Sequence, residues 1–392
     1  MKLMLLLGSG ISLPSGLPPV ETITEQILNG DWHGHTDSNF YKGLLQPGQR
    51  DWKVERQKKF LKCLKEHADQ YQQHRRWNGA NYEDLYYLVR QIEDEFLGEI
   101  DNPAIRPFVE ALKKETRELC EPKATETEFS LRELASESQD YISSIVWHLL
   151  GNKSIPQNLD AVRHLAQFDS VEKLDIASLN HDLLIESLLQ QSGINFVDGF
   201  ADADGDVRHF EPETFDNPVA TVNLYKLHGS INWWRFVETK NRRDVIRYGI
   251  HLRMPPWDGK NSRGTQLHEL DPRPVFLCGS YNKLFDYRYG IFAELHFRFF
   301  RLLRQHELIV MSGYGWNDRG INGWLSEWLS SGRKNKIILL HNHPEHIRDN
   351  SKSFMWHRYA SLRKQGRLIV VRKWLTDISG EQLVKIIRDG SR

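Results

Sequence analysis

The 392-residue sequence has few cysteines, no long hydrophobic run and no net charge. Its three cysteines, Cys63, Cys120 and Cys278, lie far apart without any Cys-x-x-Cys pair, which argues against a zinc ribbon or a disulfide framework. No apolar run approaches the roughly 20 residues of a membrane span, and the N-terminal run of five is too short for a secretory signal. The balance of 52 basic and 52 acidic side chains argues against a chain-wide coat for nucleic acid. These absences predict a cytoplasmic globular protein that does not enter a membrane.

The first eighteen residues combine a short apolar run with a glycine-rich turn. The run Leu3–Leu7 is typical of a buried strand, and Gly8 and Gly10 follow it at once. Because glycine has no Cβ, the backbone there can approach a ligand closely and direct its N–H groups at an anion such as a pyrophosphate. The third glycine of the usual dinucleotide fingerprint is replaced by Leu13, so the pattern alone is equally that of a tight turn.

The remainder of the chain divides into a helical and an alternating part. A first helix is predicted over 22–28, with Thr22 or Thr24 as its cap, and a loop over 30–48. Apolar residues three or four apart predict helices over 52–67, 82–96, 105–119 and 138–150, within an all-helical insert at 31–170, and Asn81 is the expected cap of the helix over 82–96. Strands predicted at 173–179, 222–227, 274–278, 308–312, 336–341 and 368–371 alternate with helices. This pattern predicts an α/β fold in which a Rossmann-like parallel sheet, formed by 1–30 and 171–392, carries helices on both faces.

The first helix of the insert is basic, with seven cations against three anions between Arg50 and Glu66. A solvated helix face is a better interpretation of this pattern than a surface for phosphate or a partner. Direct binding of nucleic acid is therefore not indicated. His341 and His343, together with Glu345, could suggest a metal site, but two alternating histidines beside Pro344 form a poor coordination set, and no metal is expected.

Polar residues follow several of the predicted strands at their carboxyl ends, where ligands of parallel sheets bind. Asn180 and Asp182 follow one strand, although both are also ordinary helix caps. His228 follows the next strand and precedes Gly229. Most histidines are plain core or surface residues, but a strand end beside a glycine is where an α/β enzyme exposes a reactive side chain.

Three motifs in this order resemble the sirtuin-like NAD-binding proteins. They are Gly8-Ser9-Gly10-Ile11-Ser12-x-x-Ser15-Gly16-Leu17-Pro18, Leu179-Asn180-His181-Asp182 and Lys226-Leu227-His228-Gly229-Ser230. The resemblance covers residues 1–24 and about 171–345. It implies that NAD is the substrate, that Asn180 orients water and the nicotinamide ribose, and that His228 is the catalytic histidine.

The same resemblance implies the residues that bind the dinucleotide. Gly8, Ser9, Gly10 and Ser12 would hold the pyrophosphate, and Asp182 would be a neighbouring acid of the pocket. The loop Ser312–Asp318, which contains Gly313, would lie under the adenosine half, although a plain glycine turn capped by Asn317 or Asp318 explains it equally well. Asn342 would meet the adenine-side ribose.

The sequence also departs from the protein-deacylating sirtuins. Pro19-Val20-Glu21 replaces their Asp-Phe-Arg, and the zinc-ribbon cysteines are absent. Both departures argue against an acyl-lysine substrate and favour water as the acceptor, which predicts an NAD+ hydrolase that releases nicotinamide and ADP-ribose. The resemblance further implies a latent homo-oligomer of bacterial antiphage defence and a partner ATPase of the DNA-translocase type. A non-catalytic NAD or ADP-ribose sensor, a deacylase and a cyclase remain alternatives.

Overall fold

A computed structural model describes residues 2–34, 41–44, 51–74, 79–99, 102–120, 130–151, 155–240, 243–253, 258–271, 273–279, 283–345, 347, 351 and 355–391. The chain forms two compact units. The first comprises Met1–Leu17, Leu150–Leu277 and Lys283–Arg392, and the second comprises Pro18–Leu149 and Cys278–Asn282. The domain boundaries expected at 30/31 and 170/171 stay predictions.

Fifteen strands occur in the described residues. In chain order they are β1 Lys2–Leu7, β2 Trp32–Gly34, β3 Tyr41–Leu44, β4 Lys173–Ser178, β5 Phe196–Val197, β6 Phe200–Asp204, β7 Val207–Phe210, β8 Val222–Lys226, β9 Trp234–Lys240, β10 Arg243–His251, β11 Asp258–Lys260, β12 Gln266–Glu269, β13 Leu308–Ser312, β14 Lys336–Leu340 and β15 Leu368–Val371.

A seven-stranded parallel sheet organises the first unit, in the order β15-β14-β13-β1-β4-β8-β5. Six of its strands end in register. The last residues of β8, β4, β1, β13, β14 and β15 form one row: Lys226, Ser178, Leu7, Ser312, Leu340 and Val371. The loops that carry the candidate site residues therefore start at one edge of the sheet.

The sheet is covered on both faces, as β1 shows most clearly. Successive side chains of a strand point to opposite faces of the sheet. Both faces are covered at β1, because no surface is exposed on any of Met4, Leu5, Leu6 and Leu7. A strand buried on both faces reads as a continuous apolar run, which is why this segment was recognisable. The predicted α/β fold class is confirmed, and burial of each leucine contributes about 1.5–3 kcal/mol.

The helices of the first unit alternate with strands of the parallel sheet along much of the chain. They span Asp160–Ala166, Leu184–Gln191, Lys283–Asp286, Gly290–Gln305, Arg319–Ser331, Met355–Lys364 and Gly380–Ser391. Gly290–Gln305 shows how they pack, because Leu295, Phe299 and Leu303 recur every four residues on one face and join the core cluster that contains Leu6.

A six-stranded antiparallel sheet in the same unit was not predicted, with the order β11-β12-β9-β10-β7-β6. The strand predicted over 274–278 is wrong. That segment makes a single bridge, between Phe276 and Gly229, and its backbone bonds are irregular: Val275 N donates to Trp233 O and Leu277 N to His228 O. The segment packs along the loop that follows β8 without extending a sheet.

The second unit is mainly helical, as predicted. Its helices span Val20–Asn29, Trp52–His74, Tyr82–Leu97, Arg106–Glu115 and Arg117–Cys120, and Leu131–Gly151 ends at the boundary. The antiparallel pair of β2 and β3 lies where only a loop was predicted.

Two helix caps were predicted in this unit, with different outcomes. Asn81 forms the predicted cap, in a reciprocal capping box with Asp84. The cap predicted at Thr22 or Thr24 is wrong, because the first helix starts after Pro19 and the Thr24 hydroxyl donates to Val20 O. None of the helices in the described part of the chain is long and apolar enough to span a membrane.

Candidate functional site

The glycine-rich loops after β1 and β13 are in direct backbone contact. Gly8 N donates to Ser312 O and Gly10 N to Gly313 O, each over 3.0 Å. A Cβ on Gly8 would lie 2.6 Å from the carbonyl oxygen of Gly313, so this close approach requires glycine whatever ligand the loops hold. The amides of Gly8 and Gly10 are thus engaged with a second loop, and their predicted contact with a pyrophosphate stays a prediction.

Asn180, after β4, is fixed by a directed chain of hydrogen bonds. The Ser12 hydroxyl donates to Asp182 Oδ2 over 2.7 Å, so its oxygen is left to accept from Asn180 Nδ2, 3.1 Å away. The same Nδ2 donates to Gly8 O over 3.2 Å. A flipped amide would set its oxygen against two acceptors, so the network determines the orientation of Asn180.

The fixed orientation leaves one acceptor of Asn180 without a partner in the described part of the chain. Asn180 is only 4% exposed, and its Oδ1 accepts no hydrogen bond among the described residues. A buried acceptor without a donor costs about 1–3 kcal/mol. Such an atom is therefore expected to be satisfied by a bound water or by a hydroxyl of a ligand.

Asp182 combines a structural and a site role. Its Oδ1 accepts the amide of Leu184 over 3.0 Å, at the first residue of the following helix, although the N-cap position is Leu183 and not Asn180 or Asp182 as the sequence allowed. Lys226, at the end of β8, donates to the Asp182 carbonyl and lies 3.0 Å from Glu186. Lys226 is only 2% exposed, so this buried cation ties the loop after β4 to β8.

His228 is held by groups from two other segments. Its Nε2 lies 3.0 Å from Asp318 Oδ2 and 3.0 Å from the hydroxyl of Tyr287, which itself donates to Asp318 Oδ2 over 2.5 Å. Because a carboxylate can only accept, the neutral His228 ring carries its proton on Nε2, where it donates to Asp318. The basic lone pair of the neutral ring is then on Nδ1. Asp318 also caps the next helix through the amide of Ile321, which is the cap that the sequence left open, and the adenosine-side role of its loop stays a prediction.

The charges around His228 favour an ionised Asp318. Burial opposes ionisation, but the hydrogen bond and charge of His228, together with the charge of Lys283, hold the pKa of Asp318 well below its usual range. Burial lowers the pKa of His181 well below its usual value. Burial also lowers the pKa of His296, to about 3. His296 stacks on Tyr287 with ring centroids 3.6 Å apart and stays neutral beside the pair.

The loops that carry Asn180 and His228 are joined. The rings of His181 and His228 lie 6.2 Å apart, and the amide of Ile231 donates to His181 O over 3.0 Å. Ser230 also donates to His181 O. The two predicted catalytic residues thus occupy adjoining loops at one sheet edge, and both are 4% exposed.

The remaining predicted residues lie further from this centre. Ser9 is exposed in the short helical turn after Gly8, and Asn342 is exposed after β14, two strands from β1. Neither makes a described contact with Asn180 or His228, and the roles predicted for them stay predictions.

Three residues of the site were missed or undervalued from sequence. The sequence identifies Asp318 only as the last residue of the glycine-rich loop or as a helix cap, although its position after a strand end is a usable signal. Tyr287 and the buried Lys283 lie in a segment without any local pattern that points to the site. Only the fold brings them to the loops after β8 and β13.

One family model matches part of the chain. Residues 175–361, which include Asn180, His228 and Gly313 but not the N-terminal loop, match the family model of the SIR2-like domain. Comparison with curated proteins finds no match.

Two solved structures resemble the whole chain at low identity. One is the crystal structure of a Sir2 homologue in complex with NAD, at 13% identity and a TM-score of 0.40, over 100% of this chain and 91% of that chain. The other is a histidine-to-asparagine mutant of a Sir2 homologue in complex with ADP-ribose, at 12% identity and a TM-score of 0.37, over 99% and 92% of the two chains.

Proposed function

We propose that this protein is an NAD+ hydrolase. The observation that carries the proposal is the Oδ1 atom of Asn180, a buried acceptor to which none of the described residues donates, held in one orientation by Ser12 and Gly8. It is supported by the match of residues 175–361 to the SIR2-like domain and by a histidine in the adjoining loop that is paired with a carboxylate.

In the proposed reaction, water attacks C1′ of the nicotinamide ribose. The C1′–oxygen bond forms while the C1′–N bond breaks, and the electron pair stays on nicotinamide, which leaves as a neutral molecule. Because the leaving group is cationic in NAD+, no acid is required. His228 accepts the proton of the attacking water and passes it to solvent, and Asp318 stabilises the resulting imidazolium.

Asn180 would position the nucleophile. A water that donates to Asn180 Oδ1 is fixed beside the sugar, and the carboxamide dipole supports the oxocarbenium-like charge that develops at C1′. The loop of Gly8, Ser9 and Gly10 would bind the pyrophosphate, and Gly313 and Asn342 the adenosine half. NAD is then consumed as a substrate.

Latency is part of the proposal, because a constitutive hydrolase would exhaust the NAD of its own cell. Asn180 and His228 are almost inaccessible in the single chain, which supports a resting state. We propose that homo-oligomer formation, or assembly with an ATPase of the DNA-translocase type, activates the enzyme in antiphage defence.

The test is to follow nicotinamide release from NAD by the monomer and by each isolated assembly, and to identify the second product. ADP-ribose formation by the wild type, reduced about 10²- to 10⁴-fold in His228→Ala, is expected. Release that requires an acylated peptide would favour a deacylase. Tight NAD binding without turnover in every assembly would overturn the hydrolase proposal.

A further inference from the structure

A cluster of metal-binding side chains occurs in the second unit and takes no part in the proposed reaction. It consists of Cys63 and His67 from the helix Trp52–His74 and Glu115 from the end of Arg106–Glu115. One ligand atom of each residue lies within 4.8 Å of those of the other two. We infer that Cys63, His67 and Glu115 form a zinc site that joins the two helices.

The spacing along the chain suits such a site. Cys63 and His67 are four residues apart, so they lie on one face of their helix, one turn from each other. Pairs at this spacing present two ligands to one ion, as in helical zinc motifs. Glu115 adds a third ligand from 52 residues away, which explains why the sequence predicted no metal.

The distances are close to those of a tetrahedral zinc ion. With Zn–S near 2.3 Å and Zn–N and Zn–O near 2.0 Å, tetrahedral geometry requires about 3.5 Å between sulfur and oxygen and about 3.3 Å between nitrogen and oxygen. Cys63 Sγ lies 3.6 Å from Glu115 Oε2, and His67 Nε2 lies 2.8 Å from the same oxygen. A rotamer adjustment of about half an ångström at Glu115 would bring the nitrogen–oxygen distance to the tetrahedral value, and the third pair, Cys63 Sγ and His67 Nε2, lies within 4.8 Å.

The surroundings allow an ion to enter and restrain one ligand. The side chains of His67 and Glu115 are 30% and 47% exposed, which leaves room for a water as the fourth ligand. The His67 ring is held edge-on against Phe108, with centroids 5.4 Å apart. A set of thiolate, imidazole and carboxylate prefers Zn2+ to Mg2+ or Ca2+, since those ions select oxygen ligands.

Binding would exchange one proton for the ion. Zn2+ forms a bond to Cys63 Sγ while the thiol proton, which had been donated to Glu115, leaves to solvent. The proton on His67 Nε2 moves to Nδ1 through solvent, so Nε2 and the Glu115 carboxylate exchange their mutual hydrogen bond for one metal bond each. The site is separate from the proposed hydrolase chemistry, so success or failure of either proposal leaves the other open.

Cobalt spectroscopy on the untagged, metal-free, full-length chain under a phosphine reductant tests the site. One equivalent of Co2+ should produce a thiolate-to-cobalt charge-transfer band, and one equivalent of Zn2+ should abolish it. Cys63→Ser should remove the band and lower Zn2+ affinity, measured against a chromophoric chelator, by at least about tenfold. Cys120→Ser is the matched control, because this half-buried thiol belongs to no such group among the described residues, and it should change neither.

Glu115→Gln tests the same site if Cys63→Ser does not fold, because a substitution of this exposed side chain is expected to leave folding intact. It should weaken Zn2+ binding while the charge-transfer band persists. Absence of the band in the wild type, equal losses in Cys63→Ser and Cys120→Ser, or unchanged affinity in Glu115→Gln would each overturn the proposed ligand set.

Discussion

Asp318 Oδ2 lies 3.0 Å from His228 Nε2, which couples the loop after β13 to the loop after β8. The two residues are 90 positions apart and both are buried. The carboxylate fixes the imidazole orientation and favours a proton on Nε2. Asp318 is accordingly expected to act as a positioning residue for His228 in any reaction in which that histidine accepts a proton.

Asp318→Asn should lower kcat for NAD hydrolysis by at least about tenfold while KM changes little, because the variant keeps the shape but loses the charge that stabilises imidazolium. The acidic limb of the kcat profile should also move to lower pH, since His228 loses its anionic partner and is protonated less easily. Asp198→Asn is the control, because it removes the charge of a different buried carboxylate, one that pairs with Arg208 and not with His228. A similar fall in kcat for both variants would indicate a general effect on folding.

Ser12→Ala should release Asn180 from its fixed orientation. The hydroxyl is the link between Asn180 and Asp182, so its loss should cost about 1 kcal/mol of unfolding free energy and lower kcat by roughly tenfold. Ser15→Ala is the control, because it removes a buried hydroxyl from the same loop as Ser12 that contacts Gln157 N and not Asn180. The kcat of Ser15→Ala should stay at the wild-type value. Wild-type turnover in Ser12→Ala would exclude the positioning chain.

Gly313→Ala should destabilise the protein by several kcal/mol, as measured by urea unfolding. Gly313 has φ +71°, and a Cβ would lie 2.5 Å from Gly8 O and 2.7 Å from Ile11 N. Gly323→Ala is the matched control, because a Cβ there meets no atom within 4 Å in the helix Arg319–Ser331. That variant should gain about 0.5–1 kcal/mol, and equal effects of the two substitutions would contradict the described loop contact.

The pH dependence of stability should contain a contribution from His296. Burial lowers the pKa of His296 from the ordinary 6.5 to about 3. Between these two pH values the histidine is protonated in the unfolded chain and neutral in the folded chain. Stability therefore falls as the pH decreases from about 6.5 toward 3, and is unaffected by this group above it. His296→Gln keeps a donor for Leu227 O without titrating. The unfolding free energy of wild type minus variant should decrease with falling pH, whereas parallel curves would refute the assignment.

The sequence predicted six of the seven strands of the parallel sheet, all except the two-residue β5. Four of them, β1, β13, β14 and β15, are continuous apolar runs apart from a terminal lysine or serine. β13 and β15 have the predicted bounds, and β1, β4, β8 and β14 each differ by one residue at one end. Their carboxyl ends located Asn180, Asp182 and His228 without any contact information. The antiparallel sheet was missed because strands such as Arg243–His251 mix charged and apolar residues and face solvent in part.

The partners of the site were less predictable than its strand ends. Tyr287 reaches His228 across 59 residues, and no local pattern encodes such a contact. Asp318 was visible at the end of a glycine loop, but its capping role explained it fully from sequence. Likewise, the cluster of Cys63, His67 and Glu115 depends on how two helices pack, which residue spacing does not specify.

The central claim is that Asn180 and His228 act on the same dinucleotide, and a double-mutant cycle on kcat for nicotinamide release tests it most directly. Asn180→Ala and His228→Ala should each lower kcat by about 10²- to 10⁴-fold. The double variant should be little slower than the slower single variant, because both residues serve one transition state. Wild-type turnover in either single variant, or losses that multiply in the double variant, would contradict the account.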